Sequence, residues 1–132
     1  MLHHISLGVA QIERAVAFYD AALKPLGYVR VWSDLRPTEQ GQAVGYGLPG
    51  GGDKLALKQV SIGSLGPMPG FHLAFSAASR RAVAEFHASA LAAGGTDNGA
   101  PGLREQYGPS YFAAFVIDLE GYRLEAVCKG AV

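Results

Sequence analysis

The sequence predicts an α+β fold built from two copies of one strand–helix–strand–strand–strand unit. Along the 132 residues, the spacing of apolar side chains changes from alternating to helical and back to alternating, and this order occurs twice. In one common, ungapped register, His4 falls on His72 and Phe18 falls on Phe86. Duplication of a single unit is the simplest explanation of this match.

The two units are too short to be independent domains. A chain of 132 residues is a typical length for one domain. We therefore expect a single domain over residues 1–132, with module one at about 1–66 and module two at about 69–128. Their helices should cover one side of curved sheets.

Module one begins with an alternating run at residues 3–9, which predicts a half-buried strand. Apolar residues then recur at three- and four-residue steps over residues 12–26, which indicates an amphipathic helix. Three further strands are predicted at residues 28–33, 42–48 and 54–62. A linker with two prolines follows at residues 63–70.

Module two repeats this order. An alternating strand is predicted at residues 70–77, and Ser79 is a plausible N-cap for a helix that ends near Ala93. Residues 96–109 are rich in Gly, Pro and Asn and predict a loop. The last strands are predicted at residues 111–117 and 122–128.

Composition excludes several classes of function. Apolar residues make up 49% and charged residues 17%, as expected for a folded protein. Eleven basic and eleven acidic residues give no net charge, which argues against nucleic acid or an anionic membrane as the main partner. The chain shows no secretion signal and no membrane span, so we expect a cytoplasmic protein. A single cysteine, Cys128, excludes an intrachain disulfide.

Two histidines and one carboxylate form the main candidate site. His4 and His72 lie on the strand faces opposite the apolar residues, and Glu125 lies opposite Leu124. On the concave side of the sheets they would form a two-histidine, one-carboxylate set, which suits one divalent Fe, Mn, Ni, Co or Zn ion. Ala56 occupies the symmetry-related fourth position and has no donor atom, so positions stay open for substrate.

Each of these residues also has a structural interpretation. A strand histidine can simply be hydrogen-bonded, and Glu125 could pair with Arg123 on the same face. Tyr107 is the candidate catalytic acid or base. The candidate substrate-binding residues are Tyr46, Arg104 and Tyr111.

Four segments resemble the vicinal oxygen chelate superfamily, which includes glyoxalases, bleomycin-resistance proteins and extradiol dioxygenases. They are HISLGV at 4–9, RAVAFY at 14–19, HLAF at 72–75 and DLEGYRLE at 118–125. The resemblance implies paired βαβββ modules that form a curved mixed sheet around a metal-binding cavity, and often a homodimer. It also implies His4, His72 and Glu125 as ligands of a divalent metal.

From this resemblance we expect a metal-dependent lyase or isomerase whose small-molecule substrate chelates the metal through adjacent oxygens. Ala56 replaces the carboxylate that glyoxalase I uses as ligand and base, so Tyr107 or a metal-bound hydroxide would have to serve as base. Two alternatives remain open: an extradiol-type dioxygenase, whose relatives are about twice as long, and a binding protein without turnover.

Overall fold

Two four-stranded sheets, one from each half of the chain, form the framework. The structure is a computed structural model and describes residues 1–64 and 68–131, so part of the predicted 63–70 linker lies outside the described residues. The α+β prediction with two repeated units is confirmed. The elements are β1 (Ile5–Val9), α1 (Ile12–Leu23), β2 (Val29–Asp34), β3 (Ala43–Gly47), β4 (Leu55–Gln59), β5 (His72–Ser76), α2 (Arg80–Ala92), β6 (Thr96–Leu103), β7 (Phe112–Ile117) and β8 (Arg123–Cys128).

Both sheets have the same topology. The strand orders are β1-β4-β3-β2 and β5-β8-β7-β6. In each half the first strand pairs in parallel with the last, and the remaining pairs are antiparallel. The first strand of each module is therefore an edge strand, and it carries a predicted histidine at or just before its start.

The loop prediction for residues 96–109 is wrong over β6. Thr96–Leu103 is an eight-residue strand paired with β7, and the register shifts between Asp97 and Gly99 and again between Gly99 and Gly102. Strand β6 is the outermost strand of its sheet. An edge position tolerates Pro and Gly that would disrupt a central strand, so composition alone masked the strand.

The core lies between the helices and the sheets. Phe18 and Phe86 are buried at 1% and 0% exposure, as their matching register suggested. The repeat register also pairs Leu23 with Leu91, but Leu23 is buried whereas Leu91 is 36% exposed. It follows Ala90 by about 100° around the helix, and Ala90 is the position that faces the core. No helix in the described part of the chain is long and apolar enough to cross a bilayer.

Three hydrogen bonds join the turn between β7 and β8 to the first module. The Tyr19 hydroxyl donates to buried Asp118. The Tyr122 hydroxyl donates to the carbonyl of Gly8 at 2.9 Å, and the Ala10 N–H donates to Glu120 at 3.1 Å. Burial raises the pKa of Asp118, although the bonds from Tyr19 and from backbone N–H groups favour its charged form. These bonds fix the two modules relative to each other.

Candidate active site

Strands β5 and β8 place His72 and Glu125 side by side. In their parallel register His72 lies opposite Arg123, and Ala74 lies opposite Glu125. His72 Nε2 is 3.2 Å from Glu125 Oε1. The His72 side chain is 51% exposed, whereas that of Glu125 is 3% exposed. A buried carboxylate needs a hydrogen-bond donor or a cation beside it, and this pair offers a place for either.

Tyr111 forms a hydrogen bond to the other carboxylate oxygen of Glu125. Its hydroxyl donates to Glu125 Oε2 at 2.5 Å. Burial and this bond to the carboxylate raise the pKa of Tyr111 to about 12, so the phenol stays protonated at neutral pH. The Tyr107 ring packs edge-on against Tyr111 with centroids 5.4 Å apart, and Tyr107 is 63% exposed. The two tyrosines therefore differ: Tyr111 orients Glu125, and Tyr107 is exposed to solvent.

A cavity of about 600 Å³ opens onto these residues. That volume is within the range of small-molecule sites. Aromatic side chains dominate its wall, together with an amide and a guanidinium. The lining comprises Pro69, Gly70, Phe71, His72, Asn98, Tyr107, Tyr111, Phe115, Arg123 and Glu125.

His4 lies in a different hollow. That hollow is lined by residues near the start of β1 and by the β5 residues Leu73, Ala74, Phe75 and Ser76, but not by His72. His4 Nδ1 is 2.8 Å from His3 Nδ1, and donor atoms of His3, His4 and Asp53 all lie within 4.8 Å of one another. Among residues 1–64 and 68–131, this is the one group of three with metal-ligand spacing. A single chain thus brings His72 together with Glu125 but does not add His4.

Two of the predicted substrate-binding residues lie outside the cavity lining. Tyr46 is buried, and its hydroxyl donates to Asp20 at 2.9 Å, where burial raises the pKa of the phenol. Arg104 donates to the Ala100 carbonyl at 2.7 Å, and its guanidinium lies 5.3 Å from the centroid of the Phe115 ring. Arg104 therefore stacks on a residue that forms the wall. Tyr107 and Tyr111 do line the cavity.

Six of the ten lining residues were not predicted to contribute to a cavity, and four of them carry large side chains. Phe71, Asn98, Phe115 and Arg123 all face it. The alternation in β8 does place Arg123 on the Glu125 face, and this was the available signal. Asn98 lies at the register shift between Asp97 and Gly99, and Gly99 pairs with Phe115; the sequence did not predict this irregular β6–β7 pairing.

Comparison with known proteins agrees with this architecture. A family model described as the Glyoxalase/Bleomycin resistance protein/Dioxygenase superfamily matches residues 1–126. A glyoxalase/bleomycin resistance protein from Albidiferax ferrireducens is 26% identical, with a TM-score of 0.71 and coverage of 97% of this chain and 98% of that one. No curated protein sequence matches the chain.

Two more distant solved structures share the fold. A fosfomycin resistance protein from Listeria monocytogenes is 18% identical, with a TM-score of 0.68 and coverage of 99% of this chain and 94% of that one. A glyoxalase I variant from Zea mays is 19% identical, with a TM-score of 0.73. The match to it covers 96% of this chain and 46% of the maize chain.

Proposed function

Since the chain belongs to the Glyoxalase/Bleomycin resistance protein/Dioxygenase superfamily, we propose that it is a metal-dependent lyase or isomerase acting on a small oxygenated molecule. The observation that carries the proposal is the buried carboxylate of Glu125, which is paired with His72 in the cavity lining. The substrate of this enzyme would bind the metal through adjacent oxygens.

The donor chemistry supports a divalent metal at this pair. An imidazole and a carboxylate suit Fe, Mn, Co, Ni or Zn. Glu125 is already removed from water, and Tyr111 fixes the oxygen that His72 does not contact. Hydrogen bonds of this kind orient metal-ligating carboxylates in proteins.

We propose that His4 completes the set from a second copy of the chain. Within one chain His4 lies in another hollow, although it is exposed and stands just before the edge strand β1. His72 opens the edge strand β5 of the other sheet. A homodimer that sets β1 of one copy beside β5 of the other would bring the two histidines together twice, once in each active site.

A bound divalent ion would supply Lewis-acid stabilisation of negative charge on a substrate oxygen. Tyr111 keeps its proton and holds Glu125 in place. We assign to Tyr107 the role of donating a proton to the substrate or accepting one from it, because Tyr107 is exposed and lines the cavity. Ala56, in β4, offers no carboxylate for this task.

Metal titration of the chelator-treated, untagged protein tests the proposal. We expect Mn, Co, Ni or Zn to bind by calorimetry, and His72→Ala or Glu125→Gln to weaken binding at least about 100-fold because a direct donor is lost. His3→Ala is the matched control and should retain affinity. If His3→Ala or Asp53→Asn abolished binding while Glu125→Gln kept it, the metal would occupy the His3–His4–Asp53 group and the proposal would be wrong.

A binding protein without turnover is the second candidate, favoured by the aromatic cavity wall. Metal-loaded protein should be incubated with the glutathione hemithioacetal of methylglyoxal and with catechol. Product formation that depends on Glu125 supports an enzyme, and oxygen consumption with catechol would indicate a dioxygenase. Tight binding of such small molecules to metal-free protein, with no turnover after metal loading, would support the binding role instead.

A further inference from the structure

We propose that the cavity selects small aromatic carboxylates, with Arg123 binding the carboxylate and the aromatic wall holding the ring. This inference rests on the proposed function, because it places the ring hydroxyl oxygen and one carboxylate oxygen of the ligand at the metal that the His72–Glu125 pair would hold. It names a substrate class, the ortho-hydroxy aromatic acids and their close analogues, for which salicylate is a suitable probe.

Arg123 supplies the positive charge. It lies opposite His72 in the β5–β8 register and two residues before Glu125, so all three face the same cavity. Arg123 has no ion-pair partner within the described residues 1–64 and 68–131. Glu125 does not form an ion pair with Arg123, and its two carboxylate oxygens contact His72 and Tyr111 instead. The guanidinium is thus available for a two-pronged bond to an incoming carboxylate.

No other strongly basic side chain competes for this role. Among the described residues that line the cavity, Arg123 is the one Lys or Arg. Arg104 lies close by, but its guanidinium is committed to the Ala100 carbonyl and to the Phe115 ring. An anion in the cavity would therefore be drawn to Arg123, beside the proposed metal ligands.

The aromatic wall of the cavity suits the planar, apolar ring of a ligand. Phe71, Tyr107, Tyr111 and Phe115 contribute four aromatic rings. Two of these rings also contact residues outside the cavity lining. Phe71 packs against Tyr122 with ring centroids 6.4 Å apart, and the Arg104 guanidinium lies over the Phe115 ring. Rings that are held in place before binding lose little freedom when a ligand stacks on them.

The polar groups limit which aromatic molecules fit. Arg123 and Glu125 are separated by one residue on β8, about 7 Å along the strand, and His72 lies across from Arg123. A carboxylate that accepts hydrogen bonds from Arg123 therefore directs one of its oxygens, together with the neighbouring ring oxygen, towards the His72–Glu125 pair. Asn98 adds one amide that can donate to or accept from a further ring substituent.

Binding of salicylate and of uncharged 2-hydroxybenzyl alcohol to the metal-loaded protein, measured by calorimetry, tests the inference. We expect salicylate to bind at least about 10-fold tighter than the alcohol, and Arg123→Gln to remove this preference, because a charge-assisted hydrogen bond is lost. Arg123→Lys should restore part of it, since lysine keeps the charge without the two-pronged geometry. Arg81→Gln, at an exposed helix site, is the matched control and should behave as wild type.

The metal content of each variant separates the two proposals. If Arg123→Gln binds metal normally and loses the salicylate preference, both proposals stand. If the wild type binds metal but holds the two probes equally or not at all, or if Arg123→Gln keeps the preference, the substrate inference is overturned and the metal site survives. If wild type binds no metal, the proposed function fails, and a salicylate preference lost in Arg123→Gln would leave Arg123 as an anion site alone.

Discussion

Single residues in the cavity have roles that follow from contacts rather than from residue type. Sequence analysis proposed Tyr107 as the catalytic group and Tyr111 as a substrate contact. In the structure Tyr111 donates to Glu125, and Tyr107 packs against Tyr111. Strand alternation was enough to place Glu125 on a polar face. Which phenol reaches Glu125 depends on the conformation of the 104–111 connection between the paired strands β6 and β7, and no local pattern encodes that conformation.

Removing the Tyr111 hydroxyl should weaken metal binding without removing a ligand. Tyr111→Phe leaves Glu125 Oε2 without its donor, and loss of such an orienting bond typically lowers metal affinity by about 10- to 100-fold. Calorimetric titration with Ni or Zn measures the effect. Tyr107→Phe is the control, because Tyr107 makes no hydrogen bond to Glu125 within the described residues. Equal affinities for the two variants would show that Tyr111 does not support the site.

The same tyrosine predicts a change in stability at alkaline pH. Burial and the Glu125 carboxylate raise the pKa of Tyr111 to about 12, above its ordinary value of 10.0. Between these values the unfolded chain releases a proton that the folded chain keeps, so the stability from Tyr111 is lost as pH rises. The melting temperature should therefore fall less from pH 10 to pH 12 in Tyr111→Phe than in wild type. An identical fall in both proteins would contradict the assignment.

Individual elements were predicted best where a local signal determines them. Ser79 was identified as an N-cap, and its side chain accepts a hydrogen bond from the Ala82 N–H at 3.0 Å. Strand β6 was missed because its Gly, Pro and Asn content resembles a loop, and only pairing with β7 defines it. Long-range pairing overrides local composition at such an edge.

Gly27 and Gly95 occupy the same register in the repeat, but glycine is required at the two positions for different structural reasons. Gly27 adopts a left-handed backbone with φ of 85°, and none of the described residues beyond its chain neighbours would contact an added Cβ there. At Gly95 the backbone angle is not left-handed, but a Cβ would lie 2.9 Å from both the Ala90 carbonyl oxygen and the Phe18 ring. The left-handed conformation at a helix end therefore explains Gly27, and the close approach of the backbone to Ala90 and to the Phe18 ring explains Gly95.

A methyl group at Gly95 should destabilise the protein. Because a backbone carbonyl cannot move aside cheaply, we expect Gly95→Ala to cost about 1–3 kcal/mol in the free energy of unfolding. Gly52→Ala is the matched control: the φ of Gly52 is not left-handed, and in the described part of the chain no atom beyond its chain neighbours lies within 4 Å of the added Cβ. Urea denaturation measures both. A Gly95→Ala variant as stable as Gly52→Ala would show that this packing is looser than described.

At the scale of the whole molecule, the repeat predicted two equivalent modules but not how they interlock. The bonds from Tyr19 to Asp118, from Tyr122 to Gly8 and from Ala10 to Glu120 all join the halves. They connect residues about 100 positions apart in the sequence, which no periodicity identifies. His4 lies in a different hollow from His72 and Glu125, and the repeat likewise did not predict this.

Removing the Tyr19 hydroxyl should lower the free energy of unfolding of the protein. Tyr19→Phe leaves the buried Asp118 with one donor fewer, which costs about 1–3 kcal/mol. We expect one cooperative unfolding transition, shifted to lower urea concentration. Tyr28→Phe is the control, because no hydrogen bond of the Tyr28 hydroxyl occurs within the described residues. Two separate transitions in wild type would show that the modules unfold independently.

The central claim is that His72 and Glu125 of one copy and His4 of another hold the same metal ion. Co-expression of differently tagged His4→Ala and Glu125→Gln chains, followed by purification of the mixed dimer, tests it most directly. In that dimer one site loses both a histidine and the carboxylate, while the other keeps all three donors. We therefore predict one tightly bound ion per mixed dimer, against two in wild type and none in either single variant. A mixed dimer with no tightly bound ion, or a wild-type protein that binds metal as a monomer, would contradict the account.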